Sequence, residues 1–252
     1  MGHTTDPSLF HVERYRVRGY DVDLHKHASI PTIIQMMHDA AMEHVLKLGL
    51  SALELGPLNL GWVLVRQELH VLRQPELGET VEVRTTPCGR DRAFAYRDFE
   101  LLDHQGHTCA TMATTWLLMD TQSRRIAPYP DFIADWIART EREEHLPRPA
   151  KTLPSLTEPQ IEKTFRVDWY SLDFNRHLTN FYYQKWMLEA LPLPVLETQR
   201  LERYCIHFNG ESFLDDTLSA ACQELEPGEF AHAVYKNGKE IASGWSKWLP
   251  IS

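Results

Sequence analysis

Three residues that could do acid–base and carbonyl chemistry stand two apart in one short stretch: Asp173, Asn175 and His177. A carboxylate can accept a proton or orient a neighbour. A carboxamide can donate to a developing oxyanion, and an imidazole exchanges a proton near neutral pH. A fourth candidate, Glu211, sits in the segment Asn209-Gly210-Glu211-Ser212. Each has a plainer reading when taken alone. Asp173 and Asn175 are common turn and capping types, a lone His177 reads as a hydrogen-bonded, half-buried histidine, and Glu211 after Asn-Gly reads as a solvated turn carboxylate. The first three together, directly before a helix start, point to function.

The elements that must position them follow from the pattern of residues 165–191. The first part reads as a strand. Leu178-Thr179-Asn180 then opens a helix in which Tyr183, Met187 and Leu191 fall at i, i+4 and i+8, with Tyr182, Trp186 and Ala190 beside them. The first amides of a helix have no internal partner and the dipole is positive there, so this junction suits negative charge. Ser212 has no G-x-S-x-G surroundings that would mark it as a nucleophile. No phosphate-binding glycine loop and no metal-ligand spacing appears, so no cofactor and no metal are expected.

The first half of the chain carries a matching plan. Residues 15–22 read as a strand and lead into Asp23-Leu24-His25-Lys26-His27. Ser29 then suits an N-cap, Pro31 the first turn and Gly49 the C′ position of a helix over residues 30–48. Strands are expected at residues 61–73, 80–86, 94–102 and 108–120, and a short amphipathic helix at 130–139. Residues 141–163 are charged and then proline-rich, which suits an extended linker. The expected division is therefore 1–140, a linker at 141–163, and 164–252. Further strands are expected at 201–209, 217–225, 230–236 and 241–249, the last two joined by the hairpin signal Asn237-Gly238.

The halves align as an internal repeat. Asp23 matches Asp173 and His27 matches His177 at an offset of 150; Arg66 matches Arg203 and Thr80 matches Thr217 at 137; Trp116 matches Trp248 at 132. Two mismatches are informative. His25 stands opposite Asn175, and Gln74 stands opposite Glu211 at the 137 offset. A glutamine cannot take a proton, so only the second half holds a full acid–base set. Asp23 and His27 read as structural, leaving the first half as scaffold and as walls for a substrate.

Composition narrows the class of partner. With 252 residues, 43% apolar and 24% charged, the chain has an ordinary globular make-up. A net charge of -9 argues against non-specific nucleic-acid binding and against attraction to anionic membranes. The cysteines Cys88, Cys109, Cys205 and Cys222 form no C-x-x-C pair and read as reduced, buried thiols. The opening MGHTTDPSLF reads as carrying no signal or transit peptide, and no apolar run approaches the ~18 residues of a membrane span. A cytoplasmic location is the expectation, and assembly into a homodimer is left open.

The motif D-x-N-x-H-[LV]-x-N followed by Y-x-x-W resembles the signature of the acyl-ACP thioesterases of the bacterial type, close in plan to the plant enzymes. The first-half runs YDVDLHKHASIPTIIQMMHDAAMEHVLKLGL, GWVLVRQELHVLRQPELGETVEV and TTWLLMDTQSRRIAPYP resemble that family's N-terminal portion. The resemblance covers nearly the whole chain. It implies an α+β tandem double hotdog, each half an antiparallel sheet wrapped around a central helix. It implies hydrolysis of the thioester between a fatty acyl chain and acyl carrier protein, with Asp173, Asn175, His177 and Glu211 as catalytic residues; an acyl-CoA thioesterase or other hotdog acyl-thioester enzyme, or a non-catalytic acyl-thioester-binding protein, are the alternatives. In plant members a cysteine follows the glutamate; here that position is Ser212, so no thiolate is available at it. The N-terminal half is then expected to hold the acyl chain. Arg176, Lys185, Arg200 and Arg203 are candidates for meeting an acidic carrier, with ordinary solvated side chains as the plain alternative.

Overall fold

The computed structural model describes residues 9–251. The described chain divides into two compact units. The first takes in residues up to Gln67 and Leu72–Pro149; the second joins Glu68–Val71 to Ala150 onward. Each is an antiparallel sheet with one main helix.

The first unit opens with β1 (His11–Arg16) and the long helix α1 (Ile30–Lys47). The Ser29 hydroxyl caps the Thr32 amide at 3.3 Å, and Pro31 sits in the first turn. Gly49 takes φ +66°, the left-handed conformation that ends a helix cheaply. The inward face of α1 buries Ile30, Ile33, Ile34, Met37, Ala40 and Ala41, against β1, β3 and β4. After the short α2 (Ala52–Leu55) come β2 (Leu60–Val71), β3 (Thr80–Asp91), β4 (Phe94–Leu102), β5 (Thr108–Asp120), β6 (Arg125–Ile126) and α3 (Asp131–Arg139). The strand order is β1-β3-β4-β5-β2, with β6 paired to β5. A satellite core of Leu50, Leu55, Leu118, Ile133, Trp136 and Ile137 seats α3.

The second unit repeats the plan with β7 (Ile161–Arg166), α4 (Asn180–Glu189), α5 (Leu193–Thr198), β8 (Gln199–Phe208), β9 (Thr217–Glu226), β10 (Glu229–Lys236) and β11 (Lys239–Pro250), ordered β8-β11-β10-β9-β7. The β10–β11 turn is Asn237-Gly238 with φ +52° and +76°, the pair of positive values a type I′ turn requires. Tyr183, Trp186 and Met187 of α4 are buried, and Trp186 stacks on Phe165 of β7 at 4.9 Å. Gly244 of β11 lets the helix approach closely: a Cβ there would lie 3.1 Å from Met187 Sδ and 3.3 Å from Cys205 O.

The repeat holds at the level of single hydrogen bonds. Val17 N donates to Glu79 O and Val167 N to Asp216 O, both at 2.9 Å. Ala28 N donates to Pro75 O at 2.7 Å, and Leu178 N to Ser212 O at 2.8 Å. Every one of these pairs obeys the offsets of 150 and 137 read from the sequence.

Two strands fall elsewhere than expected. β1 occupies His11–Arg16 rather than 15–22. Residues 18–21 form a turn instead, with the Arg18 amide on Asp21 Oδ2 at 2.7 Å and the Asp21 amide on Arg18 O at 3.0 Å. β7 begins at Ile161, inside the stretch read as linker; its Glu162, Lys163 and Thr164 are exposed, so no apolar alternation marks it.

Candidate active site

Asp173 builds the loop that carries the candidates. Its Oδ1 accepts the amides of Asn175 at 2.8 Å and His177 at 3.0 Å, and its own amide donates to His177 O at 2.8 Å. Arg176 sits at φ +63°, which lets the chain turn back within five residues. The carboxylate thus acts as the template for the turn. Asn175 Nδ2 reaches Asp173 Oδ2 only at 3.4 Å, a weak contact that leaves the carboxamide available.

The loop passes directly into α4. Thr179 is the N-cap, its hydroxyl accepting the Phe181 amide at 3.3 Å. Leu178 donates to Ser212 O at 2.8 Å and forms a bridge with Leu172. That bond draws the 211–213 segment alongside the loop. As a result His177 Nδ1 and Glu211 Oε1 stand 3.7 Å apart, both half-buried. This is ion-pair range but longer than a hydrogen bond. The edge of the His177 ring meets Phe213 at 5.1 Å between centroids, which fixes the plane of the imidazole. The four sequence candidates therefore lie in one loop and the segment bonded to it.

Behind Glu211 lies a polar pair that the sequence reading had assigned to the apolar core or set aside. Tyr183 and Ser212 are both buried. Burial pushes the Tyr183 phenol up to about 12, opposed by the adjoining Ser212 hydroxyl and amide and reinforced by the Glu211 charge. The two hydroxyls are neighbours without a well-formed hydrogen bond. At the repeat offsets the first half has Ile33 and Pro75 here, so the available signal was a polar pair replacing an apolar one. Phe213 replaces Glu76 in the same way.

The equivalent loop in the first unit has the same backbone. Asp23 Oδ1 accepts the His25 and His27 amides at 2.9 and 3.1 Å, and Lys26 takes φ +63°. Gln74 differs from Glu211 in what it does. Its Nε2 donates to Asp23 Oδ2 at 3.3 Å and to Ala28 O at 3.0 Å, sealing the loop.

Among the described residues the other reactive groups are already engaged or stand apart from this loop. All four cysteines are free and buried, and burial pushes Cys88 and Cys205 up to about 12 and Cys222 to about 11, so none is a ready thiolate. Glu79, Asp103 and Cys109 cluster closely enough to hold a cation, but the Arg73 guanidinium is already there, 2.7 Å from Glu79 and 3.5 Å from Asp103. A surface depression of about 360 Å³ in the first unit, lined by Arg90, Arg92, Ile126 and Tyr129, contains none of the candidates. Of the cations considered for an acidic partner, Arg203 is committed to the buried Glu68 and lies over the Trp245 ring. Arg176 is exposed, with no carboxylate on it among the described residues.

A pair of helix-and-sheet halves with this asymmetric loop defines a class. The chain belongs to the acyl-ACP thioesterase family: the N-terminal domain of that family matches residues 8–137 and the C-terminal domain residues 155–250. A chloroplastic palmitoyl-acyl carrier protein thioesterase of Cuphea hookeriana is 28% identical over 273 residues, covering 99% of this chain. The chain spans 65% of that relative's length. Among solved structures, a 12:0-ACP thioesterase from Umbellularia californica superimposes with a TM-score of 0.89 at 23% identity, covering 96% of this chain and 98% of the other. An acyl-ACP thioesterase from Bacteroides thetaiotaomicron gives 0.85 at 21% identity, covering 95% and 98%. These likenesses show the fold, an α+β double hotdog. Among the described residues no helix is long and apolar enough to cross a membrane.

Proposed function

We propose that this chain hydrolyses the thioester joining a fatty acyl group to acyl carrier protein, releasing fatty acid and the free carrier thiol. The observation that carries the reading is the 3.7 Å approach of His177 Nδ1 to Glu211 Oε1 beside the start of a helix. A water can bridge groups at that separation. Glu211 and His177 together take its proton as it attacks the thioester carbonyl. The Asn175 carboxamide and the first amides of α4 receive the oxyanion, where helix polarity favours negative charge. Asp173 holds the turn that aims Asn175 and His177. The tetrahedral intermediate then collapses, the C–S bond breaks, and the imidazole returns a proton to the departing thiolate.

Within this reading the second unit carries catalysis and the first receives the acyl chain. The four buried, free thiols suit a reducing compartment such as the cytoplasm. The test is turnover by the purified protein of one acyl group carried on acyl carrier protein and on coenzyme A, following free thiol and fatty acid together. Equimolar release of both, faster from the carrier protein, is expected. Failure to release thiol from acyl carrier protein across short, medium and long chains, or formation of a hydrated acyl product in place of fatty acid, overturns the reading.

A further inference from the structure

Around the Asp173–His177 loop the second unit exposes a set of large apolar side chains. Trp169 is 70% exposed, Tyr170 91% and Phe174 68%, with Phe213 and Leu214 also exposed. Backbone bonds hold them at one end of the unit. Thr179 N donates to Ser171 O at 3.0 Å and Leu178 N to Ser212 O at 2.8 Å, so the 169–171 turn, the loop and the 213–214 segment adjoin the same two residues. Isolated exposed apolar residues need no explanation, but a cluster around a reaction site does.

The first unit shows what the fold alone requires there. Tyr20, Leu24 and Leu77 match Tyr170, Phe174 and Leu214 and are exposed too. But Gly19, Leu24 and Glu76 stand where the second unit has Trp169, Phe174 and Phe213. Three aromatic side chains have thus been added around one loop only, the loop with the acid–base set. Aromatic residues and arginine are the types enriched at protein interfaces.

The charges around the cluster decide the partner. Most of its acids are engaged: Asp173 holds the loop amides, Glu211 faces His177, Asp215 pairs with Arg166 at 2.5 Å, and Asp216 pairs with Lys236 at 2.5 Å. Arg176, in the same loop as Phe174 and His177, is exposed and has no carboxylate on it among the described residues. A chain of net charge -9 that keeps an uncommitted arginine in an aromatic setting at its proposed site is fitted to an acidic partner.

We propose that Trp169 and Phe174, with Arg176 beside them, form the docking surface for a small acidic carrier protein, which seats there while its thioester-bearing arm enters beside His177. This rests on the acyl-ACP reading above. Two variants test it: Trp169→Ser combined with Phe174→Ser, and Arg176→Glu. Each is assayed on acyl carrier protein and on the same acyl group carried by pantetheine, and binding of the unacylated carrier is measured by titration calorimetry. The expected result is a fall of about tenfold or more in kcat/KM for acyl carrier protein, mostly in KM, with pantetheine thioester hydrolysis and thermal midpoint unchanged. Carrier binding should weaken in step, and Arg176→Glu should flatten the salt dependence of the carrier reaction. Parallel loss on both substrates, or undiminished carrier binding, overturns the docking surface. So does conversion of a dimer to a monomer with unchanged carrier kinetics, which would give the surface to a second copy. Carrier binding that is lost in the variants of a wild-type protein hydrolysing neither substrate would uphold the surface and remove the hydrolase reading.

Discussion

The loops at residues 23–27 and 173–177 have one backbone and two chemistries. In both, an aspartate collects two downstream amides, and a basic residue at φ +63° reverses the chain. In both, a following segment is stitched to the residue after the histidine. The difference lies in what that segment presents. In the first unit it presents Gln74, which donates to Asp23 and to Ala28 O and closes the loop on itself. In the second it presents Glu211, which cannot donate and stands instead beside His177. Exchanging one amide for a carboxylate replaces a hydrogen-bonded corner by a carboxylate 3.7 Å from an imidazole. The aspartate makes the turn in both, and the histidines enter it through their backbone alone.

The comparison can be broken most severely at the histidines. His177→Ala should lower kcat on acyl carrier protein by about 10²–10⁴-fold, while His27→Ala leaves it near the wild-type value. Steady-state kinetics of both, with thermal midpoints to show folding, checks this. Equal losses would mean that the halves share the work.

A smaller effect sharpens the contrast between the pair proposed to be catalytic and a structural carboxylate of the second unit. Glu68 is 4% exposed, and its carboxylate accepts from His70, Arg203 and the Ala150 amide. Burial alone would raise its proton affinity, but these hydrogen bonds outweigh burial and hold it at about 2. A carboxylate depressed on folding stabilises the native state at neutral pH, and that stabilisation is lost as pH falls from about 4.3 towards 2. Glu68→Gln should therefore cost about 1–3 kcal/mol at pH 7, with the gap to wild type narrowing at pH 3, as followed by urea unfolding. A gap that widens on acidification would reverse the assignment. His177 and Glu211 are unaffected by this substitution, so kcat should stay close to wild type.

Much of the fold was legible because its signals are local. Ser29 and Pro31, Asn237-Gly238, and the strand-favouring composition of 94–102 and 108–120 each specify an element from neighbouring residues. β7 was hidden because an edge strand with exposed Glu162, Lys163 and Thr164 carries no apolar period, and β1 because a turn at residues 18–21 mimics strand composition. Within the site, the spacing of Asp173, Asn175 and His177 showed a turn feeding a helix, and the repeat singled out Glu211 by its mismatch with Gln74. What could not be read were contacts made by distant parts of the chain. Arg203 looked available to a partner, yet it is bound to Glu68, 135 residues earlier. Phe213 could not be placed against the His177 ring until the Leu178–Ser212 bond was known.

The most direct measurement exchanges the two residues on which the halves differ. Glu211→Gln gives the second loop the side chain of the first, and Gln74→Glu does the converse. With acyl carrier protein as substrate, the account predicts a fall in kcat of about 10²–10⁴-fold for Glu211→Gln and no gain for Gln74→Glu. A folded Glu211→Gln protein that releases fatty acid near the wild-type rate would contradict it.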